Sequence, residues 1–252
     1  MKIAFVASPK QAAQEALRQL TMRYGQCGVS DADCVVALGG DGTALKALHA
    51  VMAAGRQPVY AMRLTGSLGF LANPFALDDV PERLHLARQL KLYPVKAEVE
   101  YGAGSATVFA INEIVLMRQR LQAAKLSVQA GSDRLALLIG DGLLVATPVG
   151  SSGYNRSAGG SRLRAESSLL ALTALAPHHR SDWCNMVYGN EAVIEVDVMD
   201  PDHRPVELQT SMRELPNLRR ARISSCRDLS LVLLLDGRRE PPINLTESPE
   251  EG

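Results

Sequence analysis

The sequence predicts an open α/β sheet followed by an all-β, sandwich-like domain, with the boundary near residue 92. Three observations carry that prediction. From Lys2 to Met62, short apolar runs alternate with stretches of helical period, the rhythm of a parallel sheet built from strand–helix–strand units. After Tyr93-Pro94 the rhythm becomes strands separated by glycine turns, with few helical patterns between them. A chain of 252 residues, 46% of them hydrophobic, has the means to bury one large core or two smaller ones.

Lys2 to Ala7 reads as the first strand. Gln11 to Tyr24 follows as a helix, with Ala12, Ala16, Leu17 and Leu20 along one side and Gly25 to stop it. The apolar run Cys34 to Leu38 is the second strand. The helix after it places Leu45, Leu48 and Met52 on one face and ends at Gly55. Pro58 to Met62 is the third strand. Asp78-Asp79-Val80-Pro81, acidic with proline in the first turn, opens a helix to about Leu90. In the second half, strands are expected at 95–101, 105–111, 113–118, 125–130, 134–139, 143–147, 192–199, 205–208, 220–224 and 229–235. The best helical pattern there is 166–172. The domains expected are therefore 1–92 and 93–240, with 241–252 as a frayed tail.

Composition narrows the function. Lys+Arg and Asp+Glu are both 27, so the net charge is zero, which argues against a general nucleic-acid binder. No apolar run approaches membrane-spanning length, and the N-terminal run is too short for a signal peptide. Cys27, Cys34, Cys184 and Cys226 have no C-x-x-C spacing and read as reduced thiols of a cytoplasmic protein. The adjacent His178 and His179 have no third ligand at a useful spacing, so no metal site is expected there.

Gly39-Gly40-Asp41-Gly42-Thr43 joins the second strand to its helix. Glycines let a backbone approach closely, and N–H groups at a helix start favour an anion, so this turn suits a phosphate. It is neither the P-loop nor the dinucleotide fingerprint, because the lysine and the glycine spacing are missing. A carboxylate aimed at phosphate would repel it. Asp41 is therefore expected to hold a metal ion or take a proton from the group being phosphorylated; as a bland alternative it is a turn or capping residue. In the β half, Asn112-Glu113 lies between apolar stretches and reads either as a strand-to-strand turn or as a nucleotide contact. Gly140-Asp141-Gly142 leads through a strand into a loop of small and hydroxyl-bearing residues around Tyr154, able to wrap a ligand closely.

Together, these stretches resemble the NAD kinases, of the bacterial, ATP-dependent type. The resemblance covers most of residues 30–200 and includes the loop Gly66 to Leu71 and Ala176-Pro177-His178. It implies a Rossmann-like first domain, a β-sandwich second domain, and transfer of the ATP γ-phosphate to the 2′-hydroxyl of the adenosine ribose of NAD, giving NADP. Asp41 would be the general base. Gly39, Gly40, Gly42 and Thr43 would shape the phosphate site, with Mg²⁺ or another divalent metal carried on the ATP phosphates. Asn112 and Glu113 would hold the adenosine, bordered by Phe70, with Ser152, Gly153 and Ser157 on the adenine side. Asp141 and Tyr154 would face the nicotinamide half. The expected partners are NAD and ATP, with neither nucleic acid nor membrane, in a homo-oligomer, dimer or tetramer. The family often carries a basic residue just before Gly-Asp-Gly-Leu, where Leu138-Ile139 stand here. Two other readings start from the same turn: a lipid kinase of the diacylglycerol or sphingosine type, and a diverged nucleotide-binding regulator.

Overall fold

The computed structural model describes residues 1–64, 71–183 and 186–237. The chain forms two compact units, Met1–Leu92 joined by the chain's return from Ser230, and Tyr93–Leu229.

The first unit contains β1 (Ile3–Ala7), α1 (Gln11–Tyr24), β2 (Cys34–Leu38), α2 (Asp41–Ala54), β3 (Val59–Arg63), the short β4 (Asn73–Pro74), α3 (Val80–Leu86) and β5 (Arg88–Leu92). β1, β2 and β3 run parallel and side by side. One face of this sheet presents Ile3, Phe5, Val36, Leu38, Tyr60 and Met62 to Ala13, Ala16 and Leu20 of α1 and Val80 and Leu84 of α3. Alternate residues Val35, Ala37, Val59 and Ala61 point the other way and are also buried. All five residues of β2 are buried, which is why it reads as an unbroken apolar run.

Three expectations are corrected here. The buried face of α2 is Ala44, Ala47, Leu48 and Val51, whereas Leu45 and Met52 are only half-buried. Alanines let this helix lie close over the sheet, so small size won over hydrophobic content in choosing the inward face. The helix expected to run to Leu90 stops at Leu86, and Arg88–Leu92 is a strand. Leu90 and Leu92 are buried while Gln89 and Lys91 are exposed, a period of two that a helical reading had absorbed. The last strand, Leu231–Leu235, belongs to this unit and not to the β half. It lies between β3, parallel, and β5, antiparallel. Its partners stand more than a hundred residues away in sequence, beyond the reach of any local pattern. A polar cluster fastens it: Tyr60 Oη donates to Asp236, Arg83 Nη2 pairs with Asp236 Oδ2 at 2.6 Å, and the Asp236 N–H donates to Asn73 Oδ1 at 2.9 Å. The expected tail, 241–252, lies outside the described residues.

The second unit contains β6 (Val95–Tyr101), β7 (Gly104–Ala110), β8 (Glu113–Arg118), β9 (Ala124–Ala130), β10 (Asp133–Arg134), β11 (Leu138–Gly140), β12 (Gly142–Ala146), the single turn α4 (Tyr154–Ser157), β13 (Leu169–Leu175), β14 (Met186–Gly189), β15 (Val193–Val198), β16 (Val206–Gln209) and β17 (Glu214–Ser225). These strands form one antiparallel sheet of 12. The sandwich-like packing comes from that sheet curling on itself. The 12-residue β17 carries β6 along one edge and both β15 and β16 along the other, with an irregularity between Val206 and Leu208 where the pairing bends. Inward residues of ten of these strands then share one core, among them Val99, Leu116, Leu126, Val145, Leu172, Val196 and Ile223. The expected helix at 166–172 is instead β13. Leu170, Leu172 and Ala174 enter the main core, while Ala171 and Leu175 enter a second cluster with Val115, Leu144, Ala146 and Leu163. A strand buried on both faces shows no alternation, which is why its sequence mimics a helix. The strand expected at 134–139 is divided into β10 and β11.

Candidate active site

In the first unit, the end of β2 turns sharply into α2. The Gly39 N–H donates to the Met62 carbonyl at 2.9 Å. Gly39 has φ +156, and a Cβ there would fall 2.2 Å from Thr43 Oγ1, so only glycine allows the helix to begin so close to the strand. Gly40 is the N-cap, and no side chain caps the helix. The Thr43 and Ala44 N–H groups both converge on the Gly40 carbonyl, at 2.9 and 3.2 Å, and the positive end of the helix dipole lies beside the adjoining pocket. That pocket, about 510 Å³, is lined by Gly39, Gly40, Gly42, Thr43 and Lys46 on one side and by Ser8, Lys10 and the start of α1 on the other. Asp41 turns away from its own helix end: its Oδ1 accepts the Leu71 N–H at 2.9 Å. The carboxylate therefore fixes the chain at Leu71. Phe70 itself lies outside the described residues.

In the second unit, the Asn112–Glu113 pair and the tyrosine loop are built as one piece. Thr147, 1% exposed, donates from Oγ1 to the Ile111 carbonyl at 2.6 Å and accepts the Gly150 N–H at 3.2 Å. Its own N–H donates to the Asn112 carbonyl at 2.8 Å. A Cβ on Gly150 would sit 2.2 Å from that same carbonyl, so the loop crosses Asn112 at the closest distance a backbone permits. Farther along, buried Asn155 binds the Ser151 and Ser161 carbonyls through Nδ2, at 3.2 and 2.8 Å, and accepts Thr173 Oγ1 at 2.7 Å. Ser151 Oγ donates to the Pro148 carbonyl and accepts the Leu163 N–H. This scaffold holds Ser152, Gly153, Tyr154 and Ser157 in a short helical turn at the surface, with Tyr154 43% exposed. Ser157 Oγ donates within that turn, to the Gly153 and Tyr154 carbonyls.

Asn112 Oδ1 and Glu113 Oε2 are buried without a hydrogen-bond partner. Buried acceptors are nearly always satisfied; among the described residues these two adjacent ones are not, which suits a ligand that brings donors. Burial also pushes the Glu113 carboxyl up to about 7.

Asp141 stands apart from that cluster. β12 pairs with β8 so that Ala146 faces Glu113 and Gly142 faces Met117. Asp141 thus lies a strand's length from Glu113, about 16 Å. There it pairs with Arg118, whose Nε is 2.7 Å from Asp141 Oδ1. Sequence reading missed Thr147, Asn155 and Thr173, which support the loop from below, and Arg118. The first two lie inside the motif, where their burial was the hidden signal; nothing local marks Arg118. The rings of His178 and His179 meet edge to face, and among the described residues no group of His, Cys, Asp or Glu forms a metal cluster.

Comparison with known proteins identifies the assembly. Residues 6–89 match the family described as the ATP-NAD kinase N-terminal domain, and residues 111–228 match the ATP-NAD kinase C-terminal domain. The chain is 41% identical over 249 residues to the NAD kinase of Xylella fastidiosa (strain Temecula1 / ATCC 700964), covering 98% of this chain and 93% of that one. It is 38% identical over 236 residues to the NAD kinase of Rhizobium meliloti (strain 1021), covering 93% and 91%. Its fold is similar to that of yeast NADH kinase complexed with NADH, with TM-score 0.81 at 19% identity over 94% of this chain and 83% of that one. It is likewise similar to an NAD kinase from Archaeoglobus fulgidus in complex with ATP, with TM-score 0.74 at 21% identity over 94% of each chain. The family matches and the curated relatives place the chain among the phosphotransferases. Within that class, it belongs to the NAD kinase family and is an enzyme.

Proposed function

We propose that this enzyme moves the γ-phosphoryl group of ATP to the 2′-hydroxyl of the adenosine ribose of NAD, giving NADP. The observation that carries this reading is the pair of orphaned acceptors, Asn112 Oδ1 and Glu113 Oε2, beneath a loop locked to their own backbone. A nucleoside supplies the missing donors: an exocyclic amine for an amide oxygen and ribose hydroxyls for a carboxylate. Asn112 and Glu113 would hold the adenosine, with Ser152, Gly153 and Ser157 on the adenine side. Tyr154, whose ring is free to stack, and Asp141 would meet the nicotinamide half.

The triphosphate would lie at the start of α2, in the pocket lined by Gly39, Gly40, Gly42 and Thr43, where glycine lets an anion approach closely and the helix dipole favours it. A divalent cation would arrive with ATP, on its phosphate oxygens, and neutralise their charge. Phosphoryl transfer has a loose transition state, so placement of the hydroxyl in line with the γ-phosphate dominates. Asp41 would orient that hydroxyl and take its proton as the bond to phosphorus forms. Its second task, holding the Leu71 N–H, fits a carboxylate that must stay in one place. A homo-oligomer in the cytoplasm is part of the same reading. Among the described residues, no helix is long and apolar enough to cross a membrane.

The test is binding of NAD by calorimetry. Asn112→Ala removes hydrogen bonds to a desolvated base and should weaken NAD binding by about 1–3 kcal/mol. Unchanged affinity would remove the adenosine from this position.

A further inference from the structure

Arg118 pairs with Asp141, a proposed substrate residue, and the reading above leaves it without a task. Its guanidinium is fixed on three sides. Nε pairs with Asp141 Oδ1 at 2.7 Å, and Nη1 donates to the carbonyl of Arg120, at 3.3 Å, and to that of Leu121. The backbones of the two residues are also tied, Arg118 N–H to Asp141 carbonyl at 2.9 Å. Neither side chain is deeply buried: 26% of the Arg118 side chain and 41% of the Asp141 side chain are exposed. The pair therefore sits where a ligand can meet it. Leu138, Ile139 and Gly140, just ahead of Asp141, bring no cation, and the positive charge reaches Asp141 from the neighbouring strand β8.

We propose that the Arg118–Asp141 pair sets the choice between oxidised and reduced dinucleotide by holding the charge beside the nicotinamide ring near zero. This rests on the placement of Asp141 against the nicotinamide half. The oxidised ring is a pyridinium carrying one positive charge, whereas the reduced ring is a neutral dihydropyridine. A lone carboxylate would attract the first and not the second. A lone guanidinium would repel the first and leave the second unaffected. Paired, the two charges largely cancel, and the ring is recognised with little regard to its oxidation state. Arg118 is thus a positioning residue that also tunes specificity. A unit charge about 6 Å from the ring, at an effective dielectric of about 40, changes affinity for the cationic form by about tenfold, equivalent to ~1.4 kcal/mol.

The test is kcat/KM for NAD and for NADH, with ATP saturating, on the full chain at low ionic strength. Arg118→Met should raise the NAD:NADH ratio about tenfold. Asp141→Asn should lower it about tenfold, because it leaves Arg118 tethered to its two carbonyls with its charge unopposed. Arg118→Lys, which keeps the charge, should stay near the wild-type ratio. Each shift should shrink as salt is added. A residue that merely supports the fold would depress both substrates alike and leave the ratio where it was. If Asp141→Asn moves the ratio and folded Arg118→Met does not, the role given to the pair is wrong and the placement of Asp141 stands. If neither variant moves it, the pair and the placement fall together. Should Arg118→Met melt below the assay temperature, Arg118→Gln, which removes the charge and keeps a donor toward the carbonyls of Arg120 and Leu121, carries the same expected rise, and an unchanged ratio in it overturns the proposal.

Discussion

Replacing Thr147 by valine tests whether the tyrosine loop depends on one hydroxyl. Valine matches threonine in shape, so packing is retained and only the hydrogen bonds are lost. Thr147 Oγ1 has two of them, the donation to the Ile111 carbonyl at 2.6 Å and the acceptance from the Gly150 N–H at 3.2 Å. The site is 1% exposed, so water cannot replace the hydroxyl without the loop moving. A buried group left unsatisfied costs about 1–3 kcal/mol, and two such groups, partly relieved by relaxation, cost about 2–4 kcal/mol in all. In a protein of this size, that lowers the melting temperature by roughly 5–12 °C. The same loss loosens Gly150 over the Asn112 carbonyl. The Michaelis constant for NAD should therefore rise several-fold while that for ATP stays near wild type. Thr147→Ser, which keeps the hydroxyl, should recover most of both effects. Thermal melting with initial rates on the same preparations measures them. If Thr147→Val melts and binds NAD like the wild type, the loop is held by packing and not by this hydroxyl.

Other outcomes follow from the same geometry. Glu113 has its carboxyl raised from 4.5 to about 7, so the folded state favours its proton; its contribution to stability falls as pH rises between those values and is level above them. NAD binding to the carboxylate runs the other way, and the Michaelis constant for NAD should fall about tenfold from pH 6 to 8, a dependence that Glu113→Gln abolishes. Tyr154→Ala should raise the Michaelis constant for NAD more than that for ATP; an equal rise would make the ring a structural element only. Truncation after Leu229 removes the strand between β3 and β5, whose Leu231 and Leu233 are fully buried, and the shortened chain should lose the cooperative melting of its first unit.

The parallel β–α–β beginning was legible because its helices are long and periodic and its strands apolar. Gln11–Tyr24 has the bounds that its sequence describes, and Ala16 and Leu20 face inward as expected, but Ala13 takes the buried place expected of Ala12, which is exposed. The Gly39–Thr43 turn and the Asn112–Glu113 pair stand out in the sequence because each departs from what a plain turn needs, and the structure places the first at the start of α2 and the second under the tyrosine loop. What escaped was non-local. Leu231–Leu235 finds its sheet only through β3 and β5, and Leu169–Leu175 hides its period because both faces are covered. Thr147 and Asn155 looked like ordinary loop residues until their burial was known. Arg118 meets Asp141 only because β8 and β12 pair in one particular register.

Asp41 carries the proposed proton transfer, so its replacement tests the proposed reaction most directly. Asp41→Asn keeps size and an oxygen able to accept the Leu71 N–H, but it cannot take a proton. Positioned acid–base groups contribute roughly 10²–10⁴-fold in rate. Initial rates of NADP formation from ATP and NAD, measured beside melting and NAD calorimetry on one preparation, should show turnover lower by about that factor, a melting temperature near wild type and retained NAD binding. A variant that melts early but still makes NADP at the wild-type rate per folded molecule would contradict the claim and leave Asp41 as an anchor for Leu71.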